Sequence, residues 1–94
     1  MNKVIVTVLL DKGELYLSSD LPIQFTNDED KVLYFDSFIL AKSYLSDRFI
    51  SLSSWIYNNN SSGSHIIIKE LDKNKNVIRE EIFIWLIKYL IQIN

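Results

Sequence analysis

An apolar stretch near the C-terminus, residues 82–93, constrains what this chain can fold into more than any other feature. It reads IFIWLIKYLIQI and contains only two strongly polar side chains. As a helix it would be apolar around most of its circumference. One face of a sheet and one other helix of the same chain could cover only part of it, which would leave Phe83, Ile87 and Ile91 without a partner. Such a helix needs cover from its own domain, a second copy, another protein or a lipid surface.

The length of the chain limits how much apolar surface it can hide. Its 94 residues support one domain, 1–94, and a domain of this size buries only about 60–65% of its unfolded surface. The hydrophobic content of 48% is high for so small a chain. We therefore predict a homodimer formed through the C-terminal segment, with Phe83, Ile87 and Ile91 at its interface.

The charge balance argues against two classes of partner. Twelve acidic and ten basic side chains give a net charge of −2, so phosphate backbones and anionic lipids exert no general attraction. The apolar stretch is also far shorter than the roughly 20 residues that span a bilayer. We predict neither a nucleic-acid nor a membrane partner, and a helix lying on a membrane surface is the remaining lipid alternative.

Acidic side chains are concentrated in the first half of the chain. Residues 1–50 carry eight acidic and five basic side chains, whereas residues 51–94 carry four and five. Within the first half, Asp28, Glu29 and Asp30 form an acidic loop that could meet a basic groove on another protein. A cation site or an ordinary solvated loop are the alternatives. We predict that these three residues form a protein-binding site.

Catalytic and metal-binding patterns are weak in this sequence. It has no cysteine and one histidine, which excludes disulfides, thiolate nucleophiles and sites that need two histidines. Residues 72–76 read DKNKN and resemble the start of a calcium loop, but Val77 and Phe83 stand where that loop needs its glycine and glutamate. We predict a hairpin turn there, and no enzyme, cofactor or metal site.

The first half of the chain reads as strands followed by a helix. Residues 4–10 are apolar on both faces and lack the small-residue cleavage site of a signal peptide, so they predict a central strand. A turn containing Gly13 leads to a strand over 14–18, and 23–25 and 32–35 follow as a short edge segment and a strand.

Residues 38–49 form the clearest amphipathic pattern. Phe38, Ala41 and Leu45 share one face, and Asp36 or Ser37 suits the N-cap. The same stripe could continue to Tyr57, but serines and a strand-like Trp-Ile-Tyr run favour a strand over 52–58.

After a polar loop, residues 65–71 and 77–80 predict two strands joined by the 72–76 turn, and the apolar helix comes last. The predicted fold is a small single α+β domain, an antiparallel sheet with two helices packed on one face, in the order β-β-β-α-β-β-(β)-α. The alternative continues the first helix to Tyr57 and leaves a four-stranded sheet.

These observations predict a non-enzymatic protein-binding module that acts by stoichiometric contact. The many isoleucines, asparagines and lysines fit the codon bias of a low-GC bacterium, its phages or plasmids. A regulator or inhibitor from a phage or mobile element, in the bacterial cytoplasm, is the favoured interpretation. A structural homo-oligomer subunit and a membrane-surface protein are the alternatives.

Overall fold

The computed structural model describes residues 2–10, 13–20, 22–59 and 65–84. Its elements in chain order are β1 (Lys3–Leu10), β2 (Gly13–Leu17), β3 (Phe25–Thr26), a 3-10 turn (Glu29–Lys31), α1 (Phe38–Asp47), α2 (Phe49–Asn58), β4 (His65–Leu71) and β5 (Val77–Ile84). The strands form one five-stranded antiparallel sheet in the order β3-β2-β1-β4-β5. The predicted α+β class is confirmed.

β1 lies in the middle of the sheet, as its apolar sequence predicts. Val6 on one face and Ile5 on the other are both buried, and a strand covered on both faces has no place at an edge. The hairpin to β2 closes where Leu10 pairs with Gly13. Gly13 has φ of 132°, a conformation that favours glycine, so the predicted turn residue is confirmed.

The core lies between the sheet and the two helices. Alternate residues of β1 and β4 point toward the helices, because Val6 pairs with Ile68 and Val8 pairs with Ile66. They meet the buried side chains of the helices, and the whole cluster consists of Val4, Val6, Val8, Leu17, Ile23, Phe25, Phe38, Ala41, Leu45, Leu52, Ile56, Ile66 and Ile68. Both helices therefore cover the same face of the sheet.

α1 begins where its sequence predicts. The Ser37 hydroxyl accepts the backbone N–H of Leu40 at 3.2 Å, which satisfies one of the free donors of the first turn. The helix ends before Arg48, whose guanidinium lies 3.8 Å from the centre of the Tyr44 ring. The interruption is a single residue, because α2 begins at Phe49.

The strand predicted over residues 52–58 is wrong, because these residues belong to α2. Leu52 and Ile56 are four residues apart and both buried, so they continue the apolar stripe of α1 toward the sheet. Ser53 fits the helix interior because its hydroxyl donates to the carbonyl of Phe49 at 2.8 Å. The alternative, in which the first helix continues to Tyr57, is right that residues 52–57 are helical, but the helix is interrupted at Arg48. Its four-stranded sheet is not formed, since β3 supplies a fifth strand.

The strand predicted over residues 32–35 is also not formed. Only its two ends pair with the sheet: Val32 bridges to Ser18 and Phe35 bridges to Val4. The two partners lie on different strands or strand extensions, so the segment crosses from one to the other and no continuous ladder can form.

The end of the described chain corrects the expected C-terminal helix. Ile82, Phe83 and Ile84 continue β5, with Ile82 opposite Ile67 and Ile84 opposite Ile66. The spacing of these apolar side chains favours a helix, but pairing with β4 satisfies their backbone N–H and C=O groups in a strand instead. The rest of the predicted helix, from residue 85, lies outside the described residues.

A pair of substitutions tests the helical assignment of residues 52–58. Leu52→Ala should lower the free energy of unfolding by about 2–5 kcal/mol because Leu52 is fully buried. Ser54→Lys should change it by no more than about 0.5 kcal/mol, because Ser54 is exposed on α2. In a strand, residues 52 and 54 would share the buried face, so a large loss of stability in Ser54→Lys during urea unfolding would contradict the helix.

Candidate functional site

The predicted acidic site forms a defined structure. Asp28, Glu29 and Asp30 are exposed, and the Asp28 carboxylate caps the 3-10 turn by accepting the N–H of Asp30 at 3.0 Å. The neighbouring Lys31 pairs with Asp20 at 3.6 Å. Among the described residues, none forms an ion pair with the three carboxylates. We call residues 28–30 the acidic turn; its binding role stays a prediction.

The predicted oligomer interface is only partly within the described residues. Phe83 lies in β5, half-buried and packed against the core. Ile87 and Ile91 lie outside the described residues. The predicted interface placed Phe83, Ile87 and Ile91 on one face of a helix. Phe83 is a strand residue, so it does not lie on such a helix face.

β5 has a feature that the sequence interpretation missed. It is the last strand in the sheet order, and among the described residues only β4 pairs with it. Val77, Ile78 and Ile82 are about half exposed, at 49%, 52% and 54%. The opposite edge, β3, is only two residues long. Within the described ranges, one side of this eight-residue strand has no neighbour, so its backbone N–H and C=O groups can pair with another strand.

The sequence contains a signal that β5 is an exposed strand. Residues 77–82 read VIREEI, with charged residues enclosed by β-branched ones, a pattern typical of an exposed strand. The residues that follow are more apolar, and the helix predicted from them therefore began at residue 82, inside the strand. The edge position itself has no local signal, because it depends on which strands pair with β4.

Charged side chains connect the helix-facing side of β5 to α1. Glu81 forms an ion pair with Lys42, and Arg79 lies 3.7 Å from the same carboxylate. The Arg79 guanidinium also lies 4.1 Å from the centre of the Phe38 ring. The hydrogen bond from Lys42 holds the pKa of Glu81 below its ordinary value of 4.5.

Two further carboxylates are stabilised in their charged form. Lys3 donates to Asp36 at 2.9 Å and holds the pKa of Asp36 below 3.8. In the turn between β4 and β5, the backbone N–H groups of Asn76 and Asn74 donate to Asp72 and lower its pKa. The predicted hairpin turn is thus confirmed, with Asp72 bonded to backbone N–H groups.

A groove of about 250 Å³ opens on the sheet face away from the helices. Glu14 lies in its wall and accepts hydrogen bonds from the Thr7 hydroxyl at 3.1 Å and the Lys69 ammonium at 2.7 Å. Thr7 is fully buried, and the Lys69 and Glu14 side chains are only 15% and 29% exposed. These groups satisfy one another and tie β1, β2 and β4 together, which indicates a structural role.

His65, Asp and Glu side chains form no group of three suited to a metal ion in the described ranges. Of the helices described, none is long and apolar enough to cross a membrane.

No protein-family model, curated protein or solved structure matches this chain. The fold and the site define a small α+β domain in which, among the residues described, β5 forms a long sheet edge without a neighbouring strand. The chemistry of that edge and of the acidic turn is therefore what supports a function.

The lowered pKa values predict weaker folding in acid. A carboxylate with a lower pKa in the folded chain contributes stability above its unfolded pKa and loses it as the pH falls through the folded pKa. The urea midpoint should therefore drop between pH 6 and pH 3, modestly because Asp36 and Glu81 are exposed to solvent.

The matched control is a pair of identical substitutions. Glu81→Gln should reduce this acid dependence, and Glu29→Gln, at a side chain without an ion pair to a described residue, should not. Equal acid dependence in the two variants would show that the Lys42 pair does not contribute.

Proposed function

We propose that the protein is a non-enzymatic protein-binding domain that adds a strand of its partner to β5 and acts by stoichiometric contact. The observation that supports this is the eight-residue edge strand β5, which has no second neighbour among the described strands and carries half-exposed apolar side chains. In this binding mode the backbone hydrogen bonds supply affinity and the alternating side chains supply specificity.

The side chains of β5 divide into two different rows. Arg79 and Glu81 point to the helix side, where they contact α1. Glu80 and Ile82 point to the other side, because their partners on β4 are Lys69 and Ile67. A partner strand therefore meets a charged row on one face and a mixed apolar row on the other.

Sequence composition supports the remaining parts of the proposal. A chain with no cysteine and one histidine lacks the side chains on which many catalytic sites depend, which supports a non-enzymatic role. Its wealth of isoleucine, asparagine and lysine supports a low-GC bacterial setting. The cytoplasm is the proposed location, and a regulator or inhibitor from a phage or mobile element is the proposed type.

The acidic turn is the second contact surface of this proposal. The backbone N–H of Ser19 donates to the carbonyl of Lys31 at 2.7 Å and fastens the turn to the chain that leaves β2. This attachment is on the other side of β1 from β5. The turn can attract a basic protein surface. Glu29 and the β5 residue Val77 line the same groove, so a single partner can contact both surfaces.

A proline comparison tests strand addition. Successive residues of an antiparallel strand direct their N–H groups alternately to the two sides, so one of Glu80→Pro and Glu81→Pro removes an N–H facing β4 and the other an N–H facing outward. Circular dichroism and urea unfolding should identify the outward variant, which keeps its fold. That variant should lose partner proteins that the unmodified chain retains from a native-host lysate, as quantified by mass spectrometry.

The control for this experiment is Ile50→Ala, which changes an 82% exposed side chain on α2 and leaves β5 intact. It should retain the same proteins as the unmodified chain. If the folded proline variant retains them equally well, β5 is not the binding edge.

The acidic turn is tested by neutralising it. Combined Asp28→Asn, Glu29→Gln and Asp30→Asn should keep the fold, because asparagine also caps well, and should slow association with a retained basic partner about tenfold at low salt. Stopped-flow rates should also become less dependent on salt. Single Asp30→Asn and Asp47→Asn form a matched pair of exposed sites, and an equal effect of the two would remove the acidic turn from the mechanism.

A further inference from the structure

We propose that the strand which pairs with β5 is β5 of a second copy, aligned antiparallel about a twofold axis at Glu80. Two five-stranded sheets would then join into one continuous sheet. This inference rests on the proposed function, because it names the partner of the same edge. It is carried by the charge pattern of the strand, which is complementary to itself in this register.

Opposite charges face each other across the twofold axis. With Glu80 on the axis, Arg79 of each copy lies directly opposite Glu81 of the other copy. Both side chains are accessible, since Arg79 is 59% and Glu81 37% exposed. They point to the same side of the sheet, so the facing side chains are close enough to interact. One strand thus supplies both halves of two identical ion pairs.

The apolar side chains match in the same register. Ile78 of one copy lies opposite Ile82 of the other, and both are about half exposed in the single chain. Irregularities in the pairing with β4 occur near both ends of β5 and leave residues 79–82 regular. The regular part contains the two ion-pairing residues, so the central contacts need no distortion of the strand.

One contact in this register is unfavourable. Glu80 lies opposite Glu80 of the second copy, and like charges directly opposite each other weaken strand pairing. Lys69 is the neighbour of Glu80 on β4 and places a positive charge on the same face of each sheet. Removing the charge of Glu80 should therefore strengthen the dimer if this register is correct.

A charge exchange tests the proposal by sedimentation and native mass spectrometry at micromolar concentrations. Arg79→Glu alone and Glu81→Arg alone each place like charges at both pairs, so each should weaken the homodimer about tenfold or more. Mixing the two single variants should produce heterodimers, because opposite charges then face each other at both pairs. The double variant R79E/E81R should dimerise as the unmodified chain does.

Two further variants complete the test, with circular dichroism to establish that each is folded. Glu80→Gln should tighten the dimer by a few-fold, roughly the effect of removing one like-charge pair. Lys73→Glu changes an exposed side chain in the turn before β5 and should leave the dimer unchanged.

The outcomes separate this inference from the function on which it rests. A chain that sediments as a monomer, or a dimer that ignores the charge exchange, overturns pairing of β5 with itself. If the folded proline variant nevertheless loses a different captured protein, β5 binds that protein and the proposed function stands. If neither self-pairing nor a β5-dependent protein is found, both proposals fail.

Discussion

The burial of β1 on both faces is the constraint on which the rest of this structure depends. Val4, Val6 and Val8 need the helices on one side, while Ile5 and Thr7 are buried on the other. A strand with no polar face must have a hydrogen-bonded neighbour on each side, because its backbone groups cannot reach water. β2 and β4 take those places, and the helices follow from the need to cover the valine face.

In this arrangement the proposed binding surfaces lie at the periphery of the domain. The polar side chains nearest the centre, Thr7, Glu14 and Lys69, are bonded to one another and bind three strands together. In the part of the chain that the structure describes, the sheet edge at β5 has no further strand beside it, and the three carboxylates of the acidic turn form no ion pair. A small domain whose interior is fully committed to stability has its outer edge and its loops left for recognition.

The helices show what local sequence can and cannot predict. Ser37 marks the start of α1 because capping is a local hydrogen bond to the next turn. The fate of residues 52–58 is not local: Leu52 and Ile56 would be buried in a helix, and they would also share one face in a strand. The two structures differ at Ser54, which would be buried in the strand and is exposed in α2. How the segment packs on the sheet decides between them.

By itself, the sequence determined the α+β class, the central position of β1, the turns at Gly13 and Asp72, the start of α1 and the exposure of Asp28, Glu29 and Asp30. Each depends on residue type, on periodicity or on a hydrogen bond within a few residues. Only the tertiary structure decided that residues 52–58 are helical, that Ile82–Ile84 extend β5 and that β5 lies at an edge. The physical reason is that these features depend on which distant segment supplies the hydrogen-bond partner and the covering apolar surface, and neither is encoded within the segment itself.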